Sequence, residues 1–396
     1  MFGCQQNLIS PDKNLKAILE FLCSESSKLT NCGIYYARQM YFKTGKIPGR
    51  ADLHKVLGTE NRNLHYKAFY SDTAQQILTT VAESFKSYIG LLKGIKEGTV
   101  TQRPRLPNYR QGGLALVTYT ARSVKLKDGL LRFPLGTKVK AWFGLDAFYL
   151  PRPTNLDHKA IREYRILPRN GCFYLELIYK TEQVQADVDP SKALMIDHGM
   201  NNWLTCVSNT GTSFIVDGLH LKSLNQGYNK RVAFLMSGKA NGYWSKRLER
   251  LTENRNRTMR DAVNKAARKV IAHCLANNLG TVIFGWNVGM KNGLNLGSQT
   301  NQKFVQIPTC RLKDRIAQLC EKYGIRFVVT EESYTSKASF VDRDVLPKFC
   351  EKRLLINADC NGAANIGRKV AATLGLCLKE VSRGALLTPL KVPLWS

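Results

Sequence analysis

Three short segments in the second half of the chain end apolar runs with acids. KALMIDHG carries Asp197, FVVTEESYTSK carries Glu331 and Glu332, and INADCNGAANIGRK carries Asp359. One acid at a strand end is usually a solvated cap, but three brought together on one sheet suit a divalent metal. Mg²⁺ takes hard oxygen ligands and keeps part of its water shell. Two such ions about 4 Å apart activate an attacking water and stabilise the leaving oxygen in phosphodiester hydrolysis. The expected cofactor is therefore Mg²⁺, with Mn²⁺ as a substitute.

Charge points to the same substrate class. Lys and Arg number 59 against 30 for Asp and Glu, a net charge of +29, which is the electrostatic footprint of a protein that neutralises many phosphates. A membrane-surface role fits less well, because no basic amphipathic segment dominates the charge and no run of about 18 apolar residues exists. The segment MFGCQQNLIS lacks a signal-peptide pattern, so the expectation is a cytoplasmic protein with no membrane partner. Eleven scattered cysteines, an odd number with no C-x-x-C, argue against a disulfide framework. Cys206, Cys274 and Cys320 read as small buried hydrophobes.

The elements that must position the acids follow from periodicity. Residues 13–97 read as helical. Leu15, Ile18, Leu19 and Leu22 form one apolar stripe, and Ala74, Leu78, Val81, Phe85, Tyr88 and Leu92 form a longer one. Both stripes are core packing. The connection TQRPRLPNYRQGG at 101–113 is rich in Pro and Arg; Arg103, Arg105, Tyr109 and Arg110 either grip a phosphate backbone with an aromatic platform or belong to a solvated linker. Alternation and turn signals then take over. Lys127-Asp128-Gly129 and Arg169-Asn170-Gly171 are hairpin turns, and 101–185 is expected to form a β-barrel-like domain.

From 191 the pattern turns to mixed α/β. KALMID, WLTCVSNTG and TSFIVDG read as three consecutive strands, followed by a basic helix from about Asn241 to Asn278, the strand TVIFG, a helix over Arg311–Tyr323, the strand IRFVVT, and a helix from near Ala358. That is the element order of an RNase H-like fold, in which Asp197, the later strand end and Asp359 meet at one edge.

At these motifs the chain resembles the TnpB family of transposon-encoded RNA-guided nucleases, relatives of the type V CRISPR effectors. The resemblance rests on DHGMNNWLTCVSN, on NQKFVQIPTCRLKDRI with EESYTSKASF, and on NADCNGAANIGRK, and continues upstream through PRLPNYR and YYARQMYF. It implies a multidomain α+β fold: a first wedge segment at 1–12, a helical recognition lobe at 13–100, a β-barrel wedge domain at 101–190, and a RuvC-type nuclease domain at 191–396 with a short lid near 338–356. It further implies a guide RNA, double-stranded target DNA carrying a short recognised motif, and cutting at one metal-dependent site. Within that frame Arg255, Arg268, Lys303 and Lys337 are candidate nucleic-acid contacts, alongside the usual alternative of charged outer faces.

Two departures from the family pattern stand out. The usual glutamate belongs at the end of the strand TVIFGWN, where Gly285 and Trp286 stand instead. A parallel neighbour lies about 4.8 Å away, so an acid ending IRFVVT can supply the missing carboxylate. Side chains alternate along a strand, so only one of Glu331 and Glu332 faces the metals, and Glu332 is the choice because it matches EESYTSK-type sequences. The alternative is an RNA-guided DNA-binding protein with a weak or inactive site. The second departure is that only Cys350 and Cys360 stand where relatives place zinc knuckles; tetrahedral zinc needs four ligands, and no structural zinc is expected. His198 is expected to point away from the Asp197 face, and Asp342 and Asp344 read as solvated turn acids.

Overall fold

The structure, a computed structural model, describes residues 1–60, 63–287, 307–344, 346 and 356–395. The chain forms two compact units, Met1–Thr181 and Glu182–Ser396.

In the first unit, β1 (Phe2–Ile9) leads into the long helix α1 (Lys13–Thr44). Asp12 caps α1 by accepting from the Leu15 N–H at 2.7 Å, and Gly45 ends it in the left-handed region that favours glycine. The short α2 (Arg50–His54) and the long α3 (Ser71–Lys96) follow. The two predicted stripes are core, except that Tyr88 and Leu92, at the far end of α3, are only half-buried. Six strands complete the unit: β2 (Val117–Thr120), β3 (Lys125–Lys127), β4 (Leu130–Pro134), β5 (Ala147–Pro151), β6 (Ile161–Arg169) and β7 (Cys172–Lys180), with α4 (Thr137–Phe143) before β5. Asp128 and Gly129 at φ 49° and 77°, and Asn170 and Gly171 at φ 46° and 68°, make the two predicted hairpin turns.

The expected β-barrel is not found. Among the described residues β1, β7, β6 and β2 form one four-stranded antiparallel sheet, and β3, β4 and β5 form a separate three-stranded one. Aromatic packing joins the sheets instead of backbone pairing. Phe133 stacks on Phe148 at 4.9 Å between ring centroids and meets Tyr119 and Tyr164 edge-on. The N-terminal strand β1 pairs with β7 along its whole length, so the first residues and the strands after 101 share one sheet and one core.

In the second unit the strands are β8 (Asp189–His198), β9 (Asn202–Ser208), β10 (Ser213–Asp217), β11 (Leu279–Gly285), β12 (Arg326–Thr330) and β13 (Leu390–Val392). Their order across the sheet is β12-β11-β8-β9-β10-β13. β12, β11 and β8 run parallel, as the spacing predicts, and β8, β9 and β10 form an antiparallel meander. The helices are α5 (Leu219–Met236), α6 (Lys246–Ala276), α7 (Thr309–Tyr323), α8 (Ala358–Leu374) and α9 (Arg383–Leu387). Alternation divides the faces: Leu194, Ile196 and Phe284 pack with α6 and α7, whereas Ala193, Met195 and Ile283 pack with Cys360, Ala363 and Ile366 of α8. Three elements have no counterpart in the sequence reading: α5, the short α9, and β13, which adds a parallel edge strand beside β10.

Candidate active site

Asp197 continues the phase of Ala193 and Met195 and therefore lies on the α8 face at the end of β8. Its Oδ1 accepts the His198 N–H at 2.8 Å. Gly362 of α8 lets the helix pass this close: a Cβ there would come within 2.5 Å of Asp197 Oδ2.

Glu331 and Glu332 separate as strand alternation requires. The Glu331 side chain is 66% exposed and pairs with Lys369 at 3.5 Å, whereas that of Glu332 is 12% exposed. The backbone N–H of Glu332 donates to Asn287 Oδ1 at 3.1 Å, and Asn287 Nδ2 donates back to Glu332 Oε1 at 3.5 Å. Glu332 Oε2 is buried, takes no hydrogen bond, and lies 3.6 Å from His198 Nε2. The imidazole packs on Phe284 and Trp286, the face opposite Asp197, yet its nitrogen still approaches Glu332. His198 thus lies on the face opposite Asp197, as expected; its approach to Glu332, which stands beyond the strand end, is the part the sequence did not show.

Asp359 occupies the first turn of α8, where Asn202 Nδ2 donates to its Oδ2 at 2.6 Å. Asn357 caps the helix by accepting from the backbone N–H groups of Asp359 and Cys360, each at 3.1 Å. A ladder rises from that cap. Asn361 donates to the Ala338 carbonyl at 2.7 Å and accepts the Phe340 N–H at 2.8 Å. Asn365 donates to the carbonyls of Thr335 and Ala338, and Lys369 donates to that of Ser333. Spacing of four places these three side chains on one helix face, and together they hold the turn that follows Glu332. Sequence reasoning assigned none of them a role; the N-x-x-x-N-x-x-x-K spacing is the signal that could have.

Burial, then the charges of Glu332 and Asp359, push the Asp197 carboxyl up to about 7. Burial likewise raises Glu332 to about 7, with Lys369 pulling the other way. Asp197 thus feels the charge of both other acids. Among the described residues, however, no three His, Cys, Asp or Glu side chains are gathered tightly enough to hold an ion as they stand.

The other candidates are dispersed. The 103–110 segment docks along α1: Arg38 donates to the Pro107 carbonyl at 2.9 Å and lies over the Tyr109 ring, and Asn31 bonds both the N–H and the carbonyl of Arg110. This backbone docking rules out a free linker, while the Arg103, Arg105, Tyr109 and Arg110 side chains remain exposed. Arg255 is half-buried between α5 and α6, donating to Asn225 and lying over Tyr228, a helix-to-helix clip. Arg268 and Lys337 are exposed. Lys303 and Cys350 lie outside the described residues. Ser339 accounts for both lid acids: its hydroxyl donates to Asp342 and its N–H to Asp344.

Residues 176–290, which include Asp197 and Asn287, match the family model OrfB_IS605, described as a probable transposase. No curated protein matches the chain. Among solved structures the chain is similar to a Cas12f1–sgRNA–target DNA complex, at 16% identity and a TM-score of 0.54 over 90% of this chain and 83% of that one. The mini-RNA-guided endonuclease CRISPR-Cas_phi3 aligns at 9% identity and a TM-score of 0.47 over 96% and 93% of the two chains; the likeness of fold rests on the former. The fold is thus a mixed α/β multidomain one similar to that of the Cas12 effectors. Residues 176–290 are thus similar to that transposase family, and the likeness to the Cas12f1 chain is one of fold.

Proposed function

We propose that this chain is an RNA-guided DNA endonuclease. It binds a guide RNA, recognises a short motif on double-stranded DNA, and cuts guide-matched DNA at a RuvC-type site formed by Asp197, Glu332 and Asp359. Base pairing reads the target, and protein reads backbone shape and the motif. In this reading 13–100 serves as the recognition lobe, 1–12 and 101–190 as the wedge, and 191–396 as the nuclease. The observation that carries it is that Glu332 and Asp359, from two distant segments, both act on the buried Asp197 at the end of the parallel strands.

The donor set fits hard divalent cations. All three groups are carboxylates, Glu332 Oε2 is buried without a hydrogen bond, and the lack of a side chain at Gly362 keeps Asp197 Oδ2 from being crowded. Asp197, Glu332 and Asp359 would hold Mg²⁺ or Mn²⁺, which when bound supplies activation of water and charge stabilisation of the leaving oxygen. The protein's own part is positioning. Asn202 orients Asp359, Asn287 orients Glu332, and the Asn361–Asn365–Lys369 ladder fixes the turn behind Glu332.

Purified with its RNA and given guide-matched DNA in Mg²⁺, the protein is expected to cut. Glu332→Gln is expected to lose at least a hundredfold in cutting while binding RNA and DNA as the parent does. Cutting by Glu332→Gln at the parental rate overturns the assignment. A second reading, an RNA-guided DNA binder without nuclease activity, is favoured by the loose spacing of the acids. It takes over if the parent binds matched DNA but never cuts in Mg²⁺ or Mn²⁺.

A further inference from the structure

Glu332 stands two residues past the end of β12, yet its carboxylate must serve a site centred on the neighbouring strands. The end of β11 is shaped for that reach. Gly285, in phase with Ile283, lies on the α8 face; a Cβ there would stand 3.3 Å from Glu332 Oε2 and would also run into Ile366 Cδ1. The carboxylate therefore sits over a position where any other residue would put a side chain. Pairing with β12 continues one step beyond the strand, through the Trp286 N–H to the Thr330 carbonyl at 2.8 Å. That step sets Asn287 opposite Glu332. Its planar amide then bonds Glu332 twice, accepting from the backbone N–H at 3.1 Å and donating to Oε1 at 3.5 Å.

We infer that Gly285 and Asn287 form a cradle that positions the Glu332 carboxylate for metal: the glycine leaves the space and the asparagine fixes the direction. Asn287 is a positioning residue, acting through Glu332. The inference rests on Glu332 being the second metal-holding carboxylate, and it adds why this chain accepts that acid from the strand next door. Losing a group that orients a ligand typically weakens metal affinity by 10–100-fold while leaving the ligand in place.

The test uses the RNA-bound protein and two readouts, the Mg²⁺ concentration for half-maximal cutting of guide-matched DNA and the rise in melting midpoint on adding Mn²⁺. Asn287→Ala is expected to raise the Mg²⁺ midpoint about tenfold and to shrink the Mn²⁺-induced rise, with cutting at saturating metal within a few-fold of the parent. Asn287→Ser, which keeps an acceptor near the Glu332 N–H but cannot reach the carboxylate, is expected to match it, and it stands in should the alanine variant not fold. Gly285→Ala combined with Ile366→Val, which removes the colliding Cδ1 and leaves the new Cβ close to Glu332 Oε2, is expected to shift the midpoint on the order of tenfold. A merely structural role would lower the metal-free melting point and leave both metal readouts unchanged, and that result overturns the inference. The underlying assignment fails separately: it falls if Glu332→Gln keeps the parental metal response. If Glu332→Gln loses that response while the cradle variants keep it, only the cradle falls.

Discussion

Asp197→Asn should make the metal-free protein more stable as it makes it inactive. The side chain keeps its shape, and its Oδ1 can still accept the His198 N–H at 2.8 Å. What disappears is a charge that burial, Glu332 and Asp359 all disfavour, moving the carboxyl from 3.8 to about 7. Holding that group ionised above pH 7 costs about 4 kcal/mol at 1.36 kcal/mol per pKa unit. The new amide N–H₂, if left unsatisfied, takes back about 1–2 kcal/mol, leaving a gain of about 2–3 kcal/mol, or roughly 5–10 °C in melting midpoint for a unit of this size. The pH window follows from the direction of the shift. An acid whose pKa rises on folding makes the native state bind the extra proton, so the parent loses stability as pH climbs from about 4 to about 7 and is level above. Melting curves in EDTA at pH 5 and pH 8 should therefore show a small advantage for Asp197→Asn at the lower pH and the full one at the higher. Adding Mg²⁺ at pH 8 should stabilise the parent more than the variant. An Asp197→Asn protein that melts below the parent at pH 8, or whose advantage is the same at both pH values, refutes the account of Asp197 as an electrostatically strained group.

Gly362→Ala should abolish cutting while leaving guide-RNA binding intact, because its Cβ is driven against Asp197 Oδ2; a gel-based cleavage assay beside an RNA-retention assay checks it. In the first unit, burial opposes the charge of Asp72, but hydrogen bonds from Arg122, Thr120 and Ser123 outweigh it and hold its carboxyl below the usual range. Its stabilising effect is accordingly present above the ordinary Asp pKa and lost as pH falls through the folded value. Asp72→Ala should cost about 3 kcal/mol near neutral pH and progressively less in acid, read by denaturant melts of the whole chain. Arg105→Ala should weaken nucleic-acid binding uniformly across sequences and lower the slope of log affinity against log salt by about 1, measured by filter binding over a salt series.

How much of this was legible in the sequence depends on the kind of contact. The parallel order of β8, β11 and β12 could be read because each is a short apolar run separated by a helical pattern; alternation showed that only one of Glu331 and Glu332 faces inward, and the family resemblance chose Glu332. The hairpins at Asp128-Gly129 and Asn170-Gly171 were legible because their turn type demands positive φ. α5 escaped notice because its sequence, LHLKSLNQGYNKRVAFLM, carries no continuous apolar stripe and buries only Leu221 and Asn225. β13 has just three residues and exists as a strand only because β10 offers an open edge. The barrel expectation failed for a related reason: alternation announces strands but says nothing about whether hydrogen bonding or an edge-on contact such as Phe133 with Tyr164 joins two sheets.

The asparagines show where sequence reasoning stops short at the site itself. Asn202, Asn287, Asn361 and Asn365 received no role from the sequence, where an isolated asparagine most readily suggests a turn or a cap. In the structure each spends its amide on a group far away in the chain, from Asn202 with Asp359 to Asn365 with Thr335. An amide is suited to this place because it is planar, neutral, and both donor and acceptor. It can direct a carboxylate or satisfy a carbonyl without adding another charge to a site that already holds three acids. A Lys or Arg in the same positions would pair with the carboxylates and compete with a cation, and an Asp or Glu would add to the repulsion that already helps to raise Asp197. The neutrality of the surrounding groups is therefore part of what keeps the three carboxylates available for metal.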